Sequence, residues 1–594
     1  MSTMRRSVGT ALAAALLALT GCTGGTDDPA ETSTNPTATS AAPTTASASP
    51  TPEPTSGEQT ETTAAPPDAT ETTAAPEVSF GDYGVAAGHP RAVEAGMEIL
   101  RDGGNAVDAA IAVAFSSAVV EPLTSGPGGG GAALVVPMPG STAPGAPAEP
   151  LAYDYREVVQ SSGEVPDSGT GVPGFVAGMA LLHAEHGQLP WRDLIKPAIE
   201  QAEDGVPVSW WVAQELRTEA GQAATAGLPH FQTPNGEPLL EGDVLFQPEL
   251  GQTLRDIAKD PRTFYEGDLA ATLAEVDGID AEALADYAVD VREPPRGPVG
   301  DYEILAAAPA LSGVGLIQLL QVAEAAGAGE VEPGSAAYLD ILADAWLVAD
   351  DSIETVVGDP NFVDVPVEEL TDPDLNAALA ESEAVGVAGP AADLSPGAPA
   401  GRPAAGNTTH LSVVDRDGLA VSMTNTITNF WGSGQEVGGF FLNDHLIRFA
   451  STGRTDANDP EAGKRPISYM TPAVLLDDQQ RPVLVTGSPG GMRIPDIQAA
   501  VISRWALHDI DLQAAVDAPR THLDDGVLRV EDLPSATTDE LTEMGYAVEP
   551  VPLSWNLFGS VQALELDHGA GVLVGAVDGR RTGAWDSAAI GRDP

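Results

Sequence analysis

The chain has 594 residues, of which 43% are apolar, and a formal charge of -60. That is enough apolar material for one large or two ordinary domains, while the charge argues against nucleic acid or an anionic membrane surface as a partner, since both would repel it. Cys22 is the only cysteine, so no disulfide can close within the chain.

In chain order, Arg5 and Arg6, an apolar run from Val8 to Leu19 and then Gly21-Cys22 have the order of a bacterial secretory signal. The run is too short to span a bilayer permanently. Leu19-Thr20-Gly21-Cys22 resembles a lipoprotein signal-peptide box, which predicts a signal peptide over 1–21, lipid on Cys22 and a mature protein on the outer surface of the cell membrane, held there by that lipid alone. From 22 to 77 the sequence is almost wholly Thr, Ala, Pro, Ser, Glu and Gly, without an aromatic residue. Such a segment cannot offset the entropy of ordering and is expected to be a tether.

Helical spacing follows over Ala92–Asp102, stopped by Gly103-Gly104, and Asn105 can cap a second helix over Ala106–Val120 that is apolar on nearly every side and so buried. Gly126 and Gly128 to Gly131 then allow backbone to pack on backbone ahead of a strand over Ala132–Val136. Further helices are predicted at Val176–His186, Trp191–Asp204, Leu316–Ala326 and Ala336–Ala349. After residue 408 short β-branched or alternating runs take over, at Leu411–Asp415, Leu419–Thr426, Ala473–Leu476, Pro482–Thr486 and Val572–Val577. Helices outside stacked sheets is the architecture this order favours.

The most informative segment is Asn407-Thr408-Thr409-His410-Leu411-Ser412-Val413-Val414-Asp415. A three-residue turn at Arg416-Asp417-Gly418, with Gly418 left-handed, pairs Asp415 with Leu419 and sets Thr408 opposite Thr426. Two hydroxyls at the open end of a strand pair suit a nucleophile and its orienting partner, although Thr–Thr pairs across strands are commonly structural.

Thr-Thr-His-x-Ser-Val-Val-Asp resembles the new N-terminus made when gamma-glutamyltranspeptidases cleave themselves. Gly88-His89-Pro90, the Gly103 to Ala110 stretch, Glu121 to Gly126, Tyr155-Arg156-Glu157, Gly171-Val172-Pro173-Gly174, Phe264-Tyr265-Glu266-Gly267 and Thr486-Gly487-Ser488-Pro489-Gly490-Gly491 resemble other signatures of that family, in family order. The resemblance implies an α+β chain folded as a four-layer αββα sandwich of the N-terminal nucleophile hydrolase type. Cleavage after Asn407 would give a large fragment, 78–407, and a small catalytic one, 408–594, that remain together as a heterodimer. It implies ping-pong acyl transfer from a γ-glutamyl or related amide to water or an amine, with Thr408 as nucleophile, its freed α-amine as base, Thr426 as the threonine that holds it, Gly490 and Gly491 as oxyanion donors, and Arg156 and Ser468 on the substrate carboxylate. No cofactor or metal is called for.

Departures from the family pattern bear on the substrate. Tyr469 stands where a second serine is usual, Thr428 where an asparagine is, and His445 replaces a glutamine, leaving Thr428 and His445 as substrate-binding candidates. Arg448 occupies the place of an aspartate that grips the substrate's α-amine. A cation there disfavours an ammonium. Either another acid such as Asp444 takes the amine, or the donor lacks a free one, as in poly-γ-glutamate, N-acylated glutamyl compounds or glutaryl amides. Ala450–Lys464 is also short for the family's covering segment.

Plainer readings apply elsewhere. Arg156 could form a surface ion pair with Asp154 or Glu157. Gly169 to Gly174 fits a dinucleotide fingerprint only formally, without a preceding strand and with Pro173 inside it. His183 and His186 read as solvated, and His410 as packed or catalytic. A surface binding lipoprotein without catalysis is the alternative from another class.

Overall fold

The computed structural model describes residues 81–382 and 407–589 except 525. The predicted signal peptide, Cys22 and the tether lie outside the described residues.

Two antiparallel sheets organise the rest. One has seven strands in the order Ala584–Ala589, Asp82–Ala87, Asn407–Val414, Ala420–Thr428, Gly130–Val136, Leu151–Asp154 and Asp290–Arg292. The other has six, in the order Val572–Val577, Gln562–Asp567, Pro482–Gly487, Ala473–Leu476, Tyr302–Ala306 and Arg296–Val299.

Side-chain alternation along the strands turns these sheets into four layers. Leu411, Val413, Val421 and Met423 pack with helices Pro90–Arg101, Ala106–Val120, Phe175–His186 and Trp191–Asp204. Val414 and Ala420 point the other way and meet Val474, Val485 and Leu564 of the second sheet. Ala473, Leu475 and Leu484 pack outward against helices Gly313–Ala325, Ala336–Val356 and Ile494–His508. Each sheet is therefore covered on both faces, the helix–sheet–sheet–helix arrangement expected.

The Ala106–Val120 helix is buried along its whole length, as its unbroken apolar sequence requires. Asn105 Oδ1 accepts from the Asp108 amide at 3.0 Å, and Asp108 Oδ2 from the Asn105 amide at 3.2 Å. Asn105 Nδ2 also donates to the His186 carbonyl at 2.7 Å. Asn105→Ala removes both links and is expected to cost about 1–2 kcal/mol, read as a lowered midpoint in chemical denaturation at unchanged slope.

Two readings need correction. The Ala336 helix continues to Val356, beyond the expected end at Ala349. His183 and His186 are not solvated: His186 is buried between the Tyr153 hydroxyl at 2.6 Å and the Gly145 carbonyl at 2.8 Å, and His183 Nε2 contacts the Leu189 carbonyl at 2.8 Å. Local polarity misleads there because the partners come from distant loops. The glycine run behaves as predicted, since a Cβ on Gly129 would collide with the Thr426 carbonyl and one on Gly130 with the Tyr155 carbonyl and Arg156 Cα.

Candidate active site

The hairpin forms as its sequence predicts, with Asp415 accepting the Gly418 amide at 3.0 Å and Gly418 left-handed at φ +77°. Its register holds from Val414 opposite Ala420 to Thr409 opposite Asn425. Beyond that a bulge intervenes, and the next ladder pair is Asn407 with Thr428. The uninterrupted pairing of Thr408 with Thr426 is thus corrected, and its cause is Thr428, which sits at φ +82°. A β-branched residue adopts that conformation only where its surroundings impose it. Here the Thr428 amide donates to Thr426 Oγ1 at 2.8 Å, and Thr428 Oγ1 lies 2.8 Å from His445 Nδ1.

The hydroxyls still meet. Thr408 Oγ1 donates to Thr426 Oγ1 at 3.3 Å, and Thr426 Oγ1 donates to the Asn407 carbonyl at 2.5 Å. Thr426 therefore accepts from the residue on one side of the Asn407–Thr408 bond and polarises the carbonyl on the other. Both threonines are buried, on the strand faces that look toward the second sheet.

That inner face carries a polar seam. Ser412 Oγ donates to the Val485 carbonyl at 3.2 Å and Ser422 Oγ to the Thr486 carbonyl at 3.0 Å. A Cβ on Gly487 would enter the His410 ring. The Pro482–Gly487 strand thus runs beside the hairpin from Ser412 to His410, and Gly490 and Gly491 follow it in sequence, Gly490 lying against Ile494 and Ile497. Both glycines have left-handed-side backbones, at φ +151° and +65°, which suit glycine. His410 is packed: Nδ1 is 2.8 Å from Thr424 Oγ1, Nε2 is 3.2 Å from Ser412 Oγ, and burial pushes its pKa down to about 3, leaving it neutral.

Arg156 is not on the surface; it is fully buried. Its Nε and Nη2 donate to Asp154 at 3.0 and 2.6 Å, and Nη1 donates to the Pro466 carbonyl at 2.5 Å, two residues before Ser468. Burial alone would raise the Asp154 pKa, but Arg156 and Arg465 together hold it below the usual carboxylate value. Three of the five guanidinium protons are used by these bonds, which leaves one on each Nη for a ligand. Ser468 is also buried; its amide donates to the Ala310 carbonyl at 3.1 Å and its carbonyl accepts from Ser312 Oγ at 2.9 Å.

His445 lies fully buried beside Glu157, with Nδ1 at 3.2 Å from Glu157 Oε2. Burial drives the His445 pKa well below its ordinary value, assisted by Arg156 and Arg448. Burial raises Glu157 to about 8. Asp444 is buried and held by Asn429: Oδ1 accepts the Asn429 amide at 2.9 Å and Oδ2 accepts Asn429 Nδ2 at 2.6 Å. Arg448 is partly buried; desolvation lowers its pKa against the pull of Tyr469, Asp444 and Glu354.

Sequence reasoning missed Arg581 and Glu157 as parts of this site. Arg581 Nη1 donates to the Thr408 carbonyl at 3.0 Å with its guanidinium 4.6 Å over the Trp211 ring. Nothing local in Arg580-Arg581-Thr582 signals a partner 173 residues away. Glu157 belongs to the Tyr155-Arg156-Glu157 signature, yet its burial against His445 is a tertiary fact.

The family model described as gamma-glutamyltranspeptidase matches residues 92–588. The chain is 36% identical over 517 residues to the capsule biosynthesis protein CapD proenzyme of Bacillus anthracis, covering 85% of this chain and 91% of that protein. It is 32% identical over 546 residues to the glutathione hydrolase proenzyme of Bacillus subtilis (strain 168), covering 86% and 92%. It is also 32% identical over 530 residues to an acylase proenzyme, ACY 1, of Pseudomonas sp. (strain SE83), covering 84% and 92%. In fold it is similar to a cephalosporin acylase from Bacillus halodurans, with a TM-score of 0.74 over 88% of this chain and 98% of that one at 24% identity. With a family model spanning nearly all of the described residues and relatives of this identity along most of its length, the chain belongs to the gamma-glutamyltranspeptidase family.

Proposed function

We propose that this chain is an exported, lipid-anchored amidohydrolase that cuts itself between Asn407 and Thr408 and then passes the acyl group of a γ-glutamyl-type amide from Thr408 to water or an amine. The observation that carries the reading is the relay from Thr408 Oγ1 to Thr426 Oγ1 to the Asn407 carbonyl. Attack of Thr408 Oγ1 on that carbonyl carbon, polarised by the Thr426 hydroxyl, replaces the Asn407–Thr408 peptide bond with an ester. Water opens the ester, leaving a carboxylate on Asn407 and a free α-amine on Thr408.

That amine then serves as base for its own hydroxyl. Oγ1 attacks the donor's γ-carbonyl, its proton moves to the amine, and the tetrahedral oxyanion is met by backbone N–H groups of Gly490 and Gly491. Collapse expels the amine product, which takes the proton, and leaves the acyl group on Thr408; water or an amine completes the cycle by the reverse path. Arg156, preset by Asp154, and Ser468 hold the donor's carboxylate. Relatives named glutathione hydrolase favour a γ-glutamyl donor.

A denaturing gel of purified protein is expected to show two bands, the smaller beginning Thr-Thr-His-Leu-Ser; one uncut band, as the binding-lipoprotein reading demands, would overturn the proposal. Because the base is an α-amine, kcat/KM should rise with pH through about 7.7 to 8. A rise centred near 6.5 would point to a histidine instead, which the low pKa of His410 opposes.

A further inference from the structure

We propose that Glu121 is a positioning residue for the base of this reaction: its carboxylate lies behind Thr408, offsets the field of Arg581 there, and keeps the α-amine freed by cleavage basic enough to take the hydroxyl proton. The inference rests on the acyl-transfer reading of Thr408 and adds to it a residue outside the substrate pocket.

Glu121 stands where local rules oppose a charge. It caps the C-terminal end of the buried helix Ala106–Val120, its amide donating to the Ser117 carbonyl, and the carbonyl end of a helix repels an anion. Its side chain is buried as well, which pushes its pKa up to about 7. Placement against both burial and the helix dipole marks a group whose role lies outside that helix.

The partners show where the role lies. Thr409 Oγ1 donates to Glu121 Oε2 at 3.5 Å, and the Thr582 hydroxyl shares its one proton between Oε1 at 3.4 Å and the Gly88 carbonyl at 3.1 Å. A Cβ on Gly88 would lie 2.9 Å from Oε2 and 3.1 Å from Thr409 Oγ1, so bare backbone closes over the carboxyl on that side. Arg581, next to Thr582, draws the Glu121 pKa back down and donates from Nη1 to the Thr408 carbonyl at 3.0 Å. The acid therefore touches the strand residue that follows the nucleophile, and the guanidinium touches the nucleophile's own carbonyl.

Chain geometry sets the Thr408 nitrogen within roughly 8 Å of both charges. Before cleavage that nitrogen is an amide and does not titrate; afterwards it is an amine on which each charge acts. Arg581 disfavours the ammonium and lowers the amine's pKa, whereas ionised Glu121 favours it and raises the pKa. Opposed, they leave the amine near its ordinary range of about 7.7 to 8. The ammonium in turn helps to hold Glu121 ionised. Of the other titratable groups nearby, His410 on the strand and His89 beside Gly88 are kept neutral by burial, with pKa values of about 3 and about 4, and Arg493 acts on Arg581 from the turn before helix Ile494–His508.

Release of p-nitroaniline from γ-glutamyl-p-nitroanilide, and from glutaryl-p-nitroanilide, which has no amine of its own to titrate, reads the effect. In self-cleaved Glu121→Gln the midpoint of the rise in kcat/KM is expected about one pH unit below that of wild type, with a plateau a few fold lower because a less basic amine accepts the proton less readily. Glu121→Asp, which keeps the charge, should keep the wild-type midpoint. Thr409→Val, which leaves the carboxyl but removes its hydroxyl partner, should lower the midpoint by a smaller amount and supplies the reading where the glutamine variant fails to fold or to cut itself. An unmoved midpoint in Glu121→Gln, or in Thr409→Val where the glutamine variant is not obtained, overturns the role of Glu121 with the acyl-transfer reading intact, as does a midpoint moved as far by aspartate as by glutamine. No release from either donor by self-cleaved wild type sinks that reading and this inference together.

Discussion

Thr408→Ala is expected to purify as a single uncut chain and to lose amide turnover by about four orders of magnitude or more. The size follows from what the one side chain supplies in the proposed mechanism: it is the attacking oxygen in both reactions, and without the first reaction the α-amine that would serve as base remains tied in a peptide bond. The variant should fold, because Thr426 Oγ1 keeps its bonds to the Asn407 carbonyl and the Thr428 amide, and Arg581 still reaches the main-chain carbonyl of residue 408. Thr408→Ser, which retains a hydroxyl but loses the methyl group that fixes its rotamer, should cut slowly and recover part of the activity. Gel analysis and N-terminal sequencing beside a turnover assay check both; an uncut alanine variant with wild-type turnover would remove Thr408 from the mechanism.

Arg156 carries the second large effect, and two substitutions divide its roles. Arg156→Ala leaves Asp154, itself buried, with the main-chain amide of residue 156 at 3.0 Å and Arg465 at 3.5 Å, so a stability loss of about 3–5 kcal/mol is expected in denaturant titrations. Arg156→Lys keeps the charge but cannot pair with Asp154 through two nitrogens and reach the Pro466 carbonyl at the same time. It should fold with a smaller penalty and lower kcat/KM about a hundredfold, chiefly through KM. Equal kinetic losses in kcat alone would mean that the arginine acts on the reaction and not on the carboxylate.

These two residues also show what could be read before the structure. The hairpin was legible because its turn is local: Asp417-Gly418 fixes the loop and strict alternation fixes the register, so the closeness of Thr408 and Thr426 followed from counting. The bulge did not, since Thr428 is held at positive φ by His445, which arrives from beyond the next turn. Helix Ala106–Val120 declared its burial by composition, whereas the burial of Arg156 ran against composition. Its two flanking acids suggested an exposed ion pair, and only the packing of the Pro466 segment over it shows that the pair lies in the interior. Asp444, raised as a substitute amine ligand, accepts from Asn429 through both oxygens, a contact no spacing rule contains.

The order of strands in the seven-stranded sheet decides what becomes of the two pieces once the chain is severed. Asp82–Ala87, from the upstream piece, is hydrogen-bonded on one edge to Ala584–Ala589 and on the other to Leu411–Val414, both downstream. Ala420–Thr428 in turn borders Gly130–Val136 from the upstream piece. In the second sheet Tyr302–Ala306 also pairs with Ala473–Leu476, so the polypeptides are woven through one another and neither can leave without tearing four ladders and opening the interior. Dilution should not separate them, a denaturant should release both at a single midpoint, and the newly exposed terminus at 408 should remain seated where the intact backbone first held it.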